Sequence, residues 1–215
     1  DMAPQLLSRE DADAAAVVQA SLERDGVRVL SGHKAVEARA GEPNLLLVEH
    51  DGTRAELPFD LLLVAVGRTA NVDGFGLETL GIPLRRNRSI GTDDYLRTRF
   101  PNILAVGDVT GPFQLTHAGA HQAWYAAVNA LFGRFKSFRA DYRVLPAATY
   151  TDPELARVGI NEREAEAQGI AVEVIVHPFS ELDRAIAEGA TEGFVKVLVP
   201  PGKDTILGAT IVGAR

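Results

Sequence analysis

The sequence has no cysteine. This excludes a disulfide framework, a thiolate metal site and a thiol nucleophile within these residues. Thiol chemistry, if the protein performs any, must use residues of a longer chain or of a partner. An excess of positive charge is missing too. The 22 lysines and arginines face 29 acids, a formal net charge of −7, and a general nucleic-acid role needs the opposite balance. No apolar run approaches a length of about 18 residues, the minimum for a membrane span. The start, "DMAPQLL", has no basic region leading into an apolar stretch, so it does not read as a secretory signal. A cytoplasmic location is expected. No repeat period is visible. What remains is ordinary for a globular protein of one or two domains: 215 residues, 46% hydrophobic and 24% charged.

Along the chain, Ser8 and Asp11 mark a helix start, with the serine hydroxyl as the expected cap. The helix covers "DADAAAVVQASLERD" and stops at Gly26. "VRVLS" reads as a strand. Residues 33 to 59 read as a meander, with "GEPN" and "HDG" as its turns. "FDLLLVAVG" is apolar without alternation, the mark of a central strand buried on both faces. A loop-rich segment from Arg68 to about residue 101 follows. After the buried run "ILAVGD", the small residues of "THAGAHQAWYAAVNALFG" form a helix ending near Gly133. Further on, Asn161 and Glu164 make a capping box. "VEVIVHPF", "GFVKVLV" and "TILGATIVGAR" form an antiparallel sheet with one covered face.

Two apolar runs end on glycine, at Gly67 and Gly107. In open α/β sheets ligands sit beyond the carboxyl ends of the strands, and a glycine there lets a cofactor approach. Asp108 follows Gly107 and could accept from sugar or polyol hydroxyls. A helix begins near Thr116 and His117, and its free amides and positive end suit partial negative charge. An aspartate in that position also serves as a plain turn or cap residue. His117 and His121 stand at i and i+4, a metal-capable spacing, but no third ligand is near in sequence. No metal site is expected. His121 reads as a helix-packing residue, and His33, His50 and His177 read as solvated.

Taken together, "VAVGRTAN", "NILAVGDVTG", "LTHAGAHQA", "YTDPELARVGINEREAEAQG" and "GFVKVLVPPGKDTILGATIVGAR" resemble the pyridine nucleotide-disulfide oxidoreductases, in the dihydrolipoamide dehydrogenase and mercuric reductase branch. The resemblance runs over essentially the whole chain. It implies a mixed α/β and α+β fold: partial three-layer nucleotide-binding domains, then an antiparallel sheet with helices that dimerises. Residues 1–68 would be the C-terminal half of an NAD(P)H-binding domain. Residues 69–140 would complete the FAD-binding domain, and residues 141–215 would form an incomplete dimerisation domain. Asp108 would bind the flavin ribitol. Thr116 and His117, flanked by Leu115 and Ala118, would start the helix beneath the isoalloxazine, with Gly107 giving access. Gly67 and Arg68 would border the nicotinamide pocket. Asp1 would accept from the adenosine ribose and so favour NADH over NADPH.

Several family signatures are missing: both GxGxxG fingerprints, the Cys-x4-Cys redox pair and the C-terminal segment with its acid/base histidine. The resemblance therefore implies a partial chain. No catalytic residue is expected within it, and alone it is expected to be inactive. The parent would pass a hydride from NAD(P)H to FAD and electrons on to a disulfide or related acceptor, as a homodimer joined through residues 141–215. Two alternatives stay open. One is a flavin-dependent NADH oxidase or ferredoxin-reductase-like enzyme without a cysteine pair. The other is an inert assembly module.

Overall fold

A computed structural model describes residues 1–214. Two compact units emerge: residues 1–63 together with the segment from Pro146 onward, and Val64–Leu145. The first unit begins with helix α1, Ala12–Arg24. A meander follows, with strands β1 (Lys34–Arg39), β2 (Asn44–His50) and β3 (Thr53–Phe59) paired antiparallel in chain order. The second unit holds the short helix α2 (Leu77–Leu80), a 3-10 turn at Gly107–Val109, and the long helix α3 (Thr116–Phe132). Back in the first unit come β4 (Ala147–Thr149), β5 (Glu154–Gly159), α4 (Glu162–Gln168), β6 (Glu173–Pro178), α5 (Asp183–Glu188), β7 (Gly193–Val199) and β8 (Gly208–Gly213). These five strands form one antiparallel sheet in the order β4-β5-β8-β7-β6.

Period-two burial explains how the large sheet is covered. Register places Val212 beside Leu155 and Phe194, and Lys196 beside Thr210, on one face. Leu155, Leu198, Thr210 and Val212 on that face are buried. Helix α1 lays Ala14 and Val18 against Leu155 and Val212, forming the core of the unit. The opposite face carries Ile175 and Ile211, each about half exposed. The second unit has a separate core of Ala70, Val72, Ile82, Ile90 and Ala105.

Three segments depart from the sequence reading. Residues 27–31 form no strand; the Leu30 carbonyl instead accepts from the Asp1 ammonium at 2.9 Å, and just beyond the segment Gly32 donates to Ala3 and His33 to Asp1. "FDLLLVAVG" begins within β3 but leaves regular structure after Phe59. Leu61, Leu63 and Val66 are 91%, 88% and 89% exposed. "ILAVGD" pairs on one side only, through the bridge between Arg97 and Leu104 and the bonds from Thr98 to Ile103 and from Ala105 to Leu96, then turns at Gly107. The physical reason is common to all three. A central strand needs hydrogen-bond partners on both flanks, and the described residues supply them on one flank at most. The expected serine cap is also replaced. Asp11 is the N-cap of α1, and its carboxylate points away from that helix.

Candidate functional site

In the second unit the 3-10 turn packs against α3. Two glycines make the approach possible. A β-carbon on Gly119 would stand 3.4 Å from the Cα of Gly107, and Gly107 itself has φ +78°, a left-handed conformation. The turn is locked from the helix side by Gln122, which is fully buried. Its Oε1 accepts the amide of Gly107 at 2.5 Å, while its Nε2 donates to the Gly111 carbonyl at 3.1 Å and the Tyr142 hydroxyl at 2.9 Å. The Thr110 hydroxyl lies 3.0 Å from the carbonyls of both Gly107 and Gly111. Burial raises the pKa of Tyr142, and the bond from Gln122 opposes that rise.

This lock aims Asp108 outward. Asp108 is exposed and makes no hydrogen bond or ion pair among the described residues. The start of α3 has no side-chain cap. Its N-cap is Leu115, which has no acceptor to offer, and the first helical bond runs from Gly119 to Leu115. Thr116 and His117 are exposed, whereas Ala118 is buried against the fold. Gly67 has φ +136°. Beside it, Arg68 donates to the carbonyl of Gln114, two positions before the helix, at 3.0 Å. Gly107 and Asp108, Leu115 to Ala118, and Gly67 with Arg68 therefore belong to one neighbourhood at the N-terminal end of α3. Asp1 lies in the other unit, where its carboxylate accepts the Ala3 amide at 2.8 Å.

His121 turns its Nε2 to the Asp141 carbonyl at 2.6 Å and meets Tyr125 edge-on. Asp141 is pulled down to a pKa of about 2 by side-chain and backbone hydrogen bonds from Arg143. His33 and His50 stack at 4.4 Å, each with its Nδ1 on a nearby backbone carbonyl; His50 is exposed, as expected, and His33 is half-buried. Sequence reasoning missed Gln122. A glutamine among alanines reads as a surface position. The signal lay in its phase: Ala118, Gln122 and Asn129 are the buried positions of α3, so two amides interrupt its inner stripe.

Sequence reasoning also missed a polar seam in the first unit. Lys196 alternates in phase with Phe194 and Leu198, and is 1% exposed. Its ammonium meets Asp13 at 2.6 Å, Asp11 at 3.4 Å and Glu162. Burial would lower its pKa, but the bonds from Asp13 and Glu162 and the charges of Asp13 and Asp11 outweigh this and raise it. Carboxylate oxygens of Asp11, Asp13 and Glu162 lie within 4.8 Å of one another, a metal-capable cluster in which the lysine serves as the cation. Beside it, Arg157 bridges Glu10 at 2.9 Å and Glu164 at 2.8 Å. Asp11 also accepts the amides of Glu162 and Arg163, while Asn161 accepts that of Glu164. The seam joins α1, α4 and β7; Lys196 and Asp11 are buried, Asp13 and Glu162 reach water at its edge, and the lysine fills the place of a cation, so the seam organises the unit.

Comparison with known proteins bears on both units. A family model described as pyridine nucleotide-disulphide oxidoreductase matches residues 1–128. The dimerisation domain of the same family matches residues 145–215. Dihydrolipoyl dehydrogenase of Mycobacterium leprae is 34% identical over 212 residues, covering 98% of this chain and 45% of its own. That of Thermus scotoductus is 36% identical over 215 residues, covering 99% and 46%. Among solved structures, LpdA from Mycobacterium tuberculosis is similar with a TM-score of 0.82 and 31% identity, over 95% of this chain and 44% of that one. The HOCl-induced flavoprotein disulfide reductase RclA from Escherichia coli gives 0.83 and 28%, over 100% and 48%. The chain thus spans less than half the length of the curated relatives it matches.

Proposed function

Because the chain belongs to the pyridine nucleotide-disulphide oxidoreductase family, we propose that it carries the flavin-facing segment of an FAD-dependent enzyme that uses NAD(P)H to reduce a disulfide or a related acceptor. Bound FAD would supply hydride acceptance from the pyridine nucleotide and two-electron delivery to the acceptor. The residues around the start of α3 fit such a group. Gly107 has no side chain to block it. Asp108 offers an unused carboxylate to polyol hydroxyls, and charge-assisted bonds of that kind are the strong ones. The uncapped amides of α3 favour electron density at the ring. Arg68, held at the edge of this region by Gln114, suits the border of a nicotinamide pocket.

The observation that carries this reading is Asp108: an exposed acid without a partner, set on a turn that Gln122 and Thr110 hold in place. A finer reading concerns the nucleotide. An acid at Asp1 accepts ribose hydroxyls and repels a 2′-phosphate, which supports NADH over NADPH. Pairing of two copies through residues 141–215 is supported by the dimerisation-domain match and by the half-exposed Ile175 and Ile211 face. Among the described residues no helix is long and apolar enough to cross a membrane.

The test is flavin retention. In the full-length protein that contains this chain, Asp108→Ala should weaken FAD binding by roughly 10- to 150-fold, the worth of one hydrogen bond to a charged group. Far-UV circular dichroism should stay unchanged. Stoichiometric flavin in purified Asp108→Ala would remove the assignment.

A further inference from the structure

The far end of α3 holds a second feature that the flavin reading leaves unused. A cavity of about 480 Å³ lies there, lined by Arg97, Asn102, Leu104, Asn129, Gly133 and Arg134 among others. Its volume is in the range of small-molecule sites. Thr116 and Gly133 are separated by the full length of α3, about 25 Å at the helical rise. The cavity is therefore distinct from the region around Asp108.

Its lining is cationic and has no acid. Arg97 is positioned in advance: its guanidinium lies over the Tyr95 ring at 5.1 Å and reaches the Ser137 hydroxyl at 3.4 Å. The Asn129 amide is spent on both backbone groups of Phe138, which fixes the wall of the cavity. By contrast, the side chains of Arg134 and Asn102 make no hydrogen bond or ion pair among the described residues. The surroundings reinforce the sign. Residues 64–145 carry ten lysines and arginines against six acids, a net charge of +4 in a chain whose total is −7. Arg134 at the end of α3 also complements the helix dipole, and that role alone would satisfy one cation. It does not account for the second guanidinium arriving from a different segment, nor for a cavity between the two.

We propose that this cavity binds a phosphoryl group of a small anionic ligand, clasped between Arg97 and Arg134 with Asn102 as a further donor. Two guanidinium groups on separate segments suit a dianion with several oxygens better than a single carboxylate, because each planar fork takes two oxygens.

The test uses calorimetric titration of the protein with sodium pyrophosphate and, separately, AMP, at constant ionic strength. Saturable one-to-one binding of either is expected, and tighter binding of AMP would point to a nucleotide rather than a free phosphate as the ligand. Arg134→Gln should weaken binding at least about tenfold, the lower worth of a charged hydrogen bond. Arg134→Lys should retain part of it. Arg86→Gln, which removes a cation outside the cavity lining, should leave it unchanged. The proposal is overturned if neither probe saturates, or if Arg86→Gln and Arg134→Gln weaken binding equally. The thermal midpoint of each variant without ligand separates lost binding from lost folding.

Discussion

Replacing Lys196 by methionine tests the polar seam. The substitution keeps the length and packing of the side chain and removes its charge. In the native protein the ammonium, 1% exposed, stands among three carboxylates whose own exposures are 5% for Asp11, 49% for Asp13 and 44% for Glu162. Deleting one partner of a buried ion pair costs about 3–5 kcal/mol, because the other charge is left behind. Two of the three acids here reach water and can turn outward, so the cost should fall to about 2–4 kcal/mol. Urea unfolding followed by far-UV circular dichroism would measure it. For a unit of this size the thermal midpoint should drop by about 6–12 °C.

The pH dependence distinguishes electrostatics from packing. The stability gap between variant and native protein should narrow at high pH. On the alkaline side, the raised pKa of Lys196 in the native protein means that its contribution is complete below the unfolded lysine value of about 10.4 and fades as pH climbs through the folded value. That alkaline loss should be absent in the variant. Adding Asp13→Asn and Glu162→Gln to Lys196→Met should restore at least half of the stability. A cost under about 1 kcal/mol, or a gap that does not change with pH, would refute the account.

Gln122→Met should destabilise the protein by about 1–3 kcal/mol, since it orphans the Gly107 amide, while the Gly111 carbonyl keeps the Thr110 hydroxyl. The same variant should raise the Tyr142 pKa further, because the bond that opposes burial is lost; ultraviolet titration of the phenol reads this. Asn161→Ala should cost about 1–2 kcal/mol in chemical denaturation, as it removes a capping box and the bond to the Arg9 carbonyl. Arg143→Gln should let Asp141 return from about 2 toward the ordinary carboxylate value of 3.8, seen by NMR titration of its carboxyl carbon.

Local signals in the sequence transferred well to the structure. The box at Asn161 and Glu164, the meander turns and the small-residue helix depend on neighbours a few positions away, and each lies where its residues indicate. The apolar runs transferred poorly. "LLLVAVG" states that a backbone is suited to burial but not what it pairs with, and pairing is decided by segments distant in sequence. The candidate site was legible as far as its types: glycine, acid, helix start. The means that hold these in place were not. Gln122 and Lys196 are polar residues in the inner phase of a helix and a strand, and a residue-by-residue reading assigns both to the surface. Their partners are separated from them by up to 185 positions, as for Lys196 and Asp11.

Helix α4 has seven residues, too few to persist alone in water. Two of its leading amides close on an acceptor 151 and 152 positions upstream. During synthesis, α1 must therefore wait for the last third of the chain before this corner can assemble, and that long loop slows closure. The same geometry confers tolerance of breakage. A single protease cut within residues 64–145 would leave two pieces fastened by charge and by the packing of α1 on the large sheet, migrating together in a native gel and parting only in denaturant.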